Sequence, residues 1–181
     1  MIRAGLAAVL LAMAALFALR LYDPSRPEPD DVPATPGDSD YYLLDAEILQ
    51  MGPQGDLKYR IRTDESLHYP DDAVRLTGID VTYLAGERGP WRLDAPRGRV
   101  PAGSRDIHLE GGVVLSQRRD DGELRVTTPR ARVRPDADRV ETDAEVTARA
   151  PGQDIRARGM TVYLDSDRLR LRHDVEVTYA P

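Results

Sequence analysis

Three histidines, His68, His108 and His173, are the first residues to test for chemistry, and none has a second ligand beside it at metal-binding spacing. Surface or turn positions explain them more simply than a metal site. Hydrolase, nucleotide-binding and zinc-protease motifs are missing: there is no Gly-x-Ser-x-Gly, no Gly-rich phosphate loop and no His-Glu-x-x-His. The acid pairs Asp71-Asp72 and Asp120-Asp121 could supply two carboxylates for acid–base work, but each stands in a turn context. There, Asp side chains bond to the nearby backbone. The chain has no cysteine, which removes disulfides, thiolate metal sites and cysteine nucleophiles. No catalytic residue, metal site or cofactor is expected, and a hydrolase whose carboxylates meet only in space is the weakest of the open classes.

The remaining charged pattern is a set of arginines. Arg168, Arg170 and Arg172 alternate with Leu169 and Leu171, and Arg156 and Arg158 flank Ala157. Arginine suits bidentate phosphate contacts, so these residues could meet lipid phosphates. A solvated strand face is the plainer account. A formal charge of -6 argues against nucleic acid as a partner.

These residues sit on a repeated two-strand unit whose clearest copy is Trp91 to Leu115. Trp91, Leu93 and Ala95 alternate with charged residues, Pro96 to Gly98 breaks the run, and Val100 closes the half. Leu124, Val126, Thr128, Pro129 and Val133 repeat that order, as do Ile155, Ala157, Gly159 and Leu164. In the second half, Ile107, Leu109, Val113 and Leu115 correspond to Val140, Thr142, Val146 and Ala148, then to Leu169, Leu171, Val175 and Val177. The period of about 30 residues lies in the range of repeat architectures. A weaker copy (Tyr59, Ile61, Thr63, Val74, Leu76) carries an extra residue near Ile79.

Two segments precede the repeats. Ala4 to Leu19 is apolar apart from Gly5, bracketed by Arg3 and Arg20. As a helix it reaches about 24–28 Å, slightly under the hydrocarbon core, and spans if the flanking arginines snorkel. The rival is a signal peptide cleaved near Ala12-Met13-Ala14. The Lys/Arg balance leaves orientation open. Asp23 to Asp40 carries five prolines and six acids with almost nothing to bury, and reads as an extended linker. The expected organisation is therefore a short tip and membrane helix over 1–22, a linker over 23–40 and a β-domain over 41–181.

From Tyr41 onward the period is two, as in Leu57 to Thr63, and turn chemistry separates the runs at Gly52-Pro53, Tyr69-Pro70, Gly86 to Pro90, Gly103-Ser104, Asp120-Asp121-Gly122, Pro135-Asp136 and Pro151-Gly152. Antiparallel strand pairs at fixed period stack into a rolled or solenoid-like sheet with one interior. Such a stack ends in strand edges. Val175 to Tyr179, just before Pro181, is expected to be one of them, uncapped.

The residues expected to face inward and touch lipid are Ile48, Tyr59, Ile61, Leu76, Trp91, Leu93, Ile107, Leu109, Leu124, Val126, Leu169, Leu171 and Tyr179. Leu44, Val113, Val140, Ile155, Val175 and Val177 join them in the interior. They fill a closed core or line a groove for acyl chains. Phe17 is the chain's one phenylalanine, so the β-domain has few large rings to plug a wide interior. A closed core is the simpler reading of the residues alone.

The apolar run, the acidic Pro-rich linker, Gly52-Pro53-Gln54-Gly55 before Tyr59-Arg60-Ile61, His68-Tyr69-Pro70-Asp71-Asp72 and Trp91-Arg92-Leu93-Asp94-Ala95 resemble the LptC family of the lipopolysaccharide export system. Ile107 to Val113 and Leu169-Arg170-Leu171 look like that family's repeated strand pairs. The resemblance implies an all-β, open β-jellyroll (OstA-like) behind one transmembrane helix, in the inner membrane with its carboxy-terminal domain in the periplasm. It implies a relay without enzymatic activity. Lipopolysaccharide would come from an inner-membrane ABC transporter (LptB, LptF, LptG) and pass to the periplasmic bridge LptA by edge-strand pairing. The partner edges would be Tyr42 and Leu44 at one end, and Val175, Glu176, Val177, Thr178 and Tyr179 at the other. With the resemblance, the acyl-chain groove becomes the preferred reading. A tethered scaffold or adhesion module with a closed core is the alternative.

Overall fold

The computed structural model describes residues 39–84, 86 and 88–179; the apolar run 4–19 and nearly all of the linker lie outside them. Among the described residues no helix is long and apolar enough to cross a membrane. Nine antiparallel strands form one open sheet in strict chain order: β1 Tyr41–Met51, β2 Leu57–His68, β3 Val74–Tyr83, β4 Trp91–Val100, β5 Ile107–Arg119, β6 Gly122–Arg134, β7 Arg139–Ala150, β8 Gln153–Tyr163 and β9 Arg168–Tyr179. All the strands and the whole core fall in one compact unit, residues 35–181, which therefore has what it needs to fold by itself.

The turns follow the local chemistry. Asp120-Asp121 and Pro151-Gly152 are two-residue connections. Asp71 Oδ1 accepts the Ala73 N–H at 3.0 Å, and Ser104 Oγ accepts that of Asp106 at 3.0 Å. Asp71 and the Asp120-Asp121 pair thus serve as turn residues here.

Halfway along, the ladders lapse at one level across all nine strands. Asp45 and Asp64 are left unpaired between β1 and β2, Asp64 and Gly78 between β2 and β3, and Gly78 and Pro96 between β3 and β4. The same seam continues as bulges through Gly111-Gly112, Asp143-Ala144 and Asp174. The backbone turns left-handed at Asp45 (φ 49°), Gly78 (φ 61°) and Asp174 (φ 50°). At Gly78 a Cβ would also crowd the Asp64 side chain, which would have to swing aside, and the left-handed backbone favours glycine there. Side chains tie off the freed carbonyls: the Thr63 hydroxyl bonds Thr77 O at 2.7 Å, the Thr128 hydroxyl bonds Glu145 O at 2.8 Å, and the Arg172 guanidinium reaches Thr142 O and Met160 O. These bonds offset the cost of interrupted pairing.

The seam divides the sheet into two leaves. One leaf holds the ends of odd-numbered strands and the starts of β2, β4, β6 and β8; the other holds the complementary halves. Residues opposite each other in register share a face. Ile48, Ile61, Val81, Leu93, Leu115 and Val126 accordingly form one inward row in the first leaf. Val74, Val100, Ile107, Val133, Val140, Val162 and Leu169 belong to the inner face of the second. The two inner faces bury a single apolar cluster between them.

A buried knot fixes the leaves together. Asp167, in the β8–β9 turn of the second leaf, accepts Trp91 Nε1–H at 2.7 Å and a Gln117 Nε2 hydrogen at 2.6 Å on Oδ1. Its Oδ2 accepts the Arg88 backbone N–H at 2.6 Å. Trp91 and Gln117 belong to the first leaf.

On the outer face the pattern is less favourable. Asp80 stands directly opposite Asp94. The Asp94 carboxyl is held above its ordinary range, first by burial and then by the Asp80 charge. The folded state therefore holds that proton more tightly than the unfolded chain, and the stability from this site is lost as pH rises through the raised pKa. Asp80→Asn should raise unfolding free energy at neutral pH by about 0.2–1 kcal/mol. Urea titrations should show the gain shrinking as pH falls through the Asp94 pKa.

Candidate functional site: the interior and the two sheet edges

Most of the inward residues expected from sequence are packed on one another. Ile61, Leu76, Trp91, Leu93, Ile107, Leu109, Leu124 and Val126 are buried, with Trp91, Leu109 and Val126 only 1% exposed. Tyr59, Leu169 and Leu171 pack partly buried against them. Among the described residues the middle of the structure is thus a filled core, with no standing groove of acyl-chain width. One cavity with wholly apolar exposed walls lies between the leaves, about 20 Å³, lined by Tyr59, Ile61, Val81, Tyr83, Ile107, Val133, Pro135, Asp138 and Leu164. It has room for about one water, and apolar walls of this kind stay dry.

The apolar surface that remains open lies on the edge strands. On β1, Tyr41, Leu43, Leu44, Ile48, Leu49 and Met51 are each about half exposed; on β9, so are Val175 and Val177, and Tyr179 is 69% exposed. Among the described residues neither strand has a second neighbour. Ile48 continues the inward row that leads to Ile61, and Val177 the one that passes through Ile155. Leu44 needs correction. Simple alternation puts it on the same face as Ile48, but the left-handed Asp45 between them takes up one residue, so Leu44 lies opposite Glu65 and faces outward, as Tyr42 does opposite Leu67. Both still belong to the free β1 edge, and Glu176 and Thr178 to the β9 edge.

The charged residues resolve individually. Arg168 and Arg170 are exposed on the outer face, with the Arg168 guanidinium 5.1 Å from the centre of the Tyr163 ring. Arg172 has a structural task at the seam. Arg156 and Arg158 are exposed. His68 stacks on Tyr41 at 4.5 Å, with Asp40 and Asp72 each 3.7 Å from a ring nitrogen. His108 lies between Arg99 and Arg132, and its pKa is pushed down by burial first and then by those two cations. Among the described residues no group of His, Asp and Glu is arranged to hold a metal ion.

Sequence reasoning missed four residues that join the leaves: Lys58, Gln117, Asp138 and Asp167. Lys58 Nζ lies 2.8 Å from Asp138 Oδ1. The Tyr83 phenol is pushed well above its ordinary range by burial, then by the Asp138 charge and a hydrogen bond to that carboxylate. The signal that could have found the acids is a turn repeated at the same place in two units, Asp138-Arg139-Val140 and Asp167-Arg168-Leu169, both with a left-handed Asp.

An open antiparallel sheet of repeated, seam-broken hairpins, with an apolar inner face and two free edges, is therefore the feature to compare with known proteins. A family model described as "Lipopolysaccharide-assembly, LptC-related" matches residues 7–180. The chain belongs to the LptC family. No curated protein matches it. Among solved structures it is similar to the crystal structure of LptH, the LptA-homologous periplasmic component of the lipopolysaccharide transport device of Pseudomonas aeruginosa. Identity is 8%, covering 81% of this chain and 100% of that one, with a TM-score of 0.45. Membership of the LptC family gives the chain a role in lipopolysaccharide transport and its β-domain a periplasmic setting. The family is one of transport proteins.

Proposed function

We propose that this LptC-family chain is a membrane-tethered relay. It takes lipopolysaccharide from an ATP-driven inner-membrane transporter (LptB, LptF, LptG) and passes it to a soluble periplasmic bridge of the LptA kind. Acyl chains travel along the inner face of the sheet, and neighbours of like fold add their strands to β1 and β9. The observation that supports this reading is the half-exposed apolar inner face at both free edges, continuous with the core. Binding needs no catalytic group, since each buried methylene contributes about 0.8 kcal/mol. The apolar run 4–19 serves as the single-pass tether and the acidic segment 23–40 as its spacer.

The filled core favours a second reading, a tethered scaffold that binds proteins only. Photo-crosslinking separates the two. A photoreactive residue at Ile48, on the inner face, should give a lipopolysaccharide adduct in cells making that lipid, while one at Leu49, on the outer face, should not. Adducts at neither Ile48 nor inward Leu43 and Val177 would establish the scaffold instead.

A further inference from the structure

The two leaves are held together in two unlike ways. The Asp167 knot is buried and carries three hydrogen bonds. The second tie runs from Lys58 at the start of β2 to Asp138 in the β6–β7 turn, an ion pair whose side chains remain 27% and 21% exposed, with one hydrogen bond from the Tyr83 phenol to the same carboxylate beside it. Beneath it lies the dry cavity of about 20 Å³, whose walls come from both leaves. From that cavity an apolar row leads outward: Tyr59 and Ile61 on β2, then Ile48 on β1, which is 52% exposed. No other place in the described structure combines a path from solvent, an apolar space and a releasable polar tie.

We propose that this is where a lipid acyl chain passes into the interior, between β2–β3 and the β6–β7 turn, and that the Lys58–Asp138 pair is the latch that closes it. The inference rests on the relay reading above and adds to it a way in and a gate. A chain cannot lie in the cavity as it stands, so the leaves must part. They part where the side chains are partly exposed and held by one ion pair and one phenol hydrogen bond, not where three hydrogen bonds converge on one buried carboxylate. The 3₁₀ turn Pro135–Ala137 and the left-handed Asp138 (φ 47°) that ends it hold the carboxylate ready to re-engage, and Asp138 O also accepts the Leu164 N–H at 2.8 Å. Lys58 is the chain's only lysine among 24 arginines. An ammonium makes a point-charge contact that releases more readily than an arginine fork locked to a carboxylate.

The absence of cysteine allows a clean test on residues 39–181. In Lys58→Cys/Asp138→Cys, a short thiol-cleavable bis-maleimide ties the latch shut, and uptake of cis-parinaric acid is followed by stopped-flow fluorescence. Uptake should be lost on cross-linking and return on cleavage. Lys58→Glu, which leaves two acids facing each other, should speed uptake by about fivefold to tenfold because uptake tracks the open fraction. The swap Lys58→Glu/Asp138→Lys should restore the slower rate, with circular dichroism confirming that each variant is folded. Equal uptake with and without the cross-link overturns the latch and leaves the relay standing. Uptake by no form, the unaltered chain included, overturns the relay reading and the latch together.

Discussion

Asp167→Ala is expected to lower the unfolding free energy of residues 39–181 by about 3–5 kcal/mol, measured by urea denaturation. The carboxylate is 6% exposed and is the acceptor for Trp91 Nε1–H, Gln117 Nε2–H and the Arg88 N–H. Alanine leaves donors in an interior where water cannot replace the lost acceptor, and each orphan costs about 1–3 kcal/mol. Asp167→Asn is the informative control. Its one carbonyl oxygen can keep Trp91 and Gln117, its NH₂ turns towards Arg88, and asparagine tolerates the left-handed backbone at φ 51°. It should cost distinctly less than alanine. Equal losses would mean that the charge and the second acceptor, Oδ2 towards the Arg88 N–H, hold the turn in place, and not the oxygen shared by Trp91 and Gln117.

The second large effect is Leu109→Ala, expected to cost about 2–5 kcal/mol through lost burial and the cavity left behind. Leu109 is 1% exposed, and its Cδ2 lies 3.0 Å from where a Cβ on Gly98 would stand, so the two strands meet there closely. Ile48→Ala, at an edge position 52% exposed, should stay near about 0.5 kcal/mol. If Leu109→Ala proved as mild as Ile48→Ala, the interior would be loosely filled, and lipid would have standing room there without any parting of the leaves.

Much of the sheet could be read from alternation alone. Leu57 to Thr63 and Arg168 to Arg172 are strands, the repeated units are successive hairpins, and the turns fall where Gly, Pro and Asp cluster. The seam could not be read so easily. An unpaired residue flips the parity of everything beyond it, and nothing in the side chains of Leu44, Asp45 and Ile48 announces that one position does not count. The irregularity expected near Ile79 is a residue fewer and not an extra one: β3 leaves only Gly78 unpaired at the seam, where β5 leaves Gly111-Gly112 and β7 leaves Asp143-Ala144. The joints between leaves were harder still. Lys58 and Asp138 are 80 positions apart, as 138 minus 58 gives, and Asp167 and Trp91 are 76 apart. Only the folding of the two leaves onto one another brings them together. Whether the interior was filled or open also lay beyond pattern, because Val126 in a core and Val126 in a groove look alike in sequence.

The seam also bears on which chains can join the edges. A strand laid along β9 meets a regular ladder over 168–172, then the left-handed Asp174, then a regular ladder again over 176–179. A strand laid along β1 meets the same interruption at Asp45. An uninterrupted β-strand can therefore satisfy only one half of either edge, and a slip of one residue misplaces its own break against the host's. The kink works as a vernier, admitting at full length only a partner that bends at the matching level and discouraging the indiscriminate stacking to which bare sheet edges are prone.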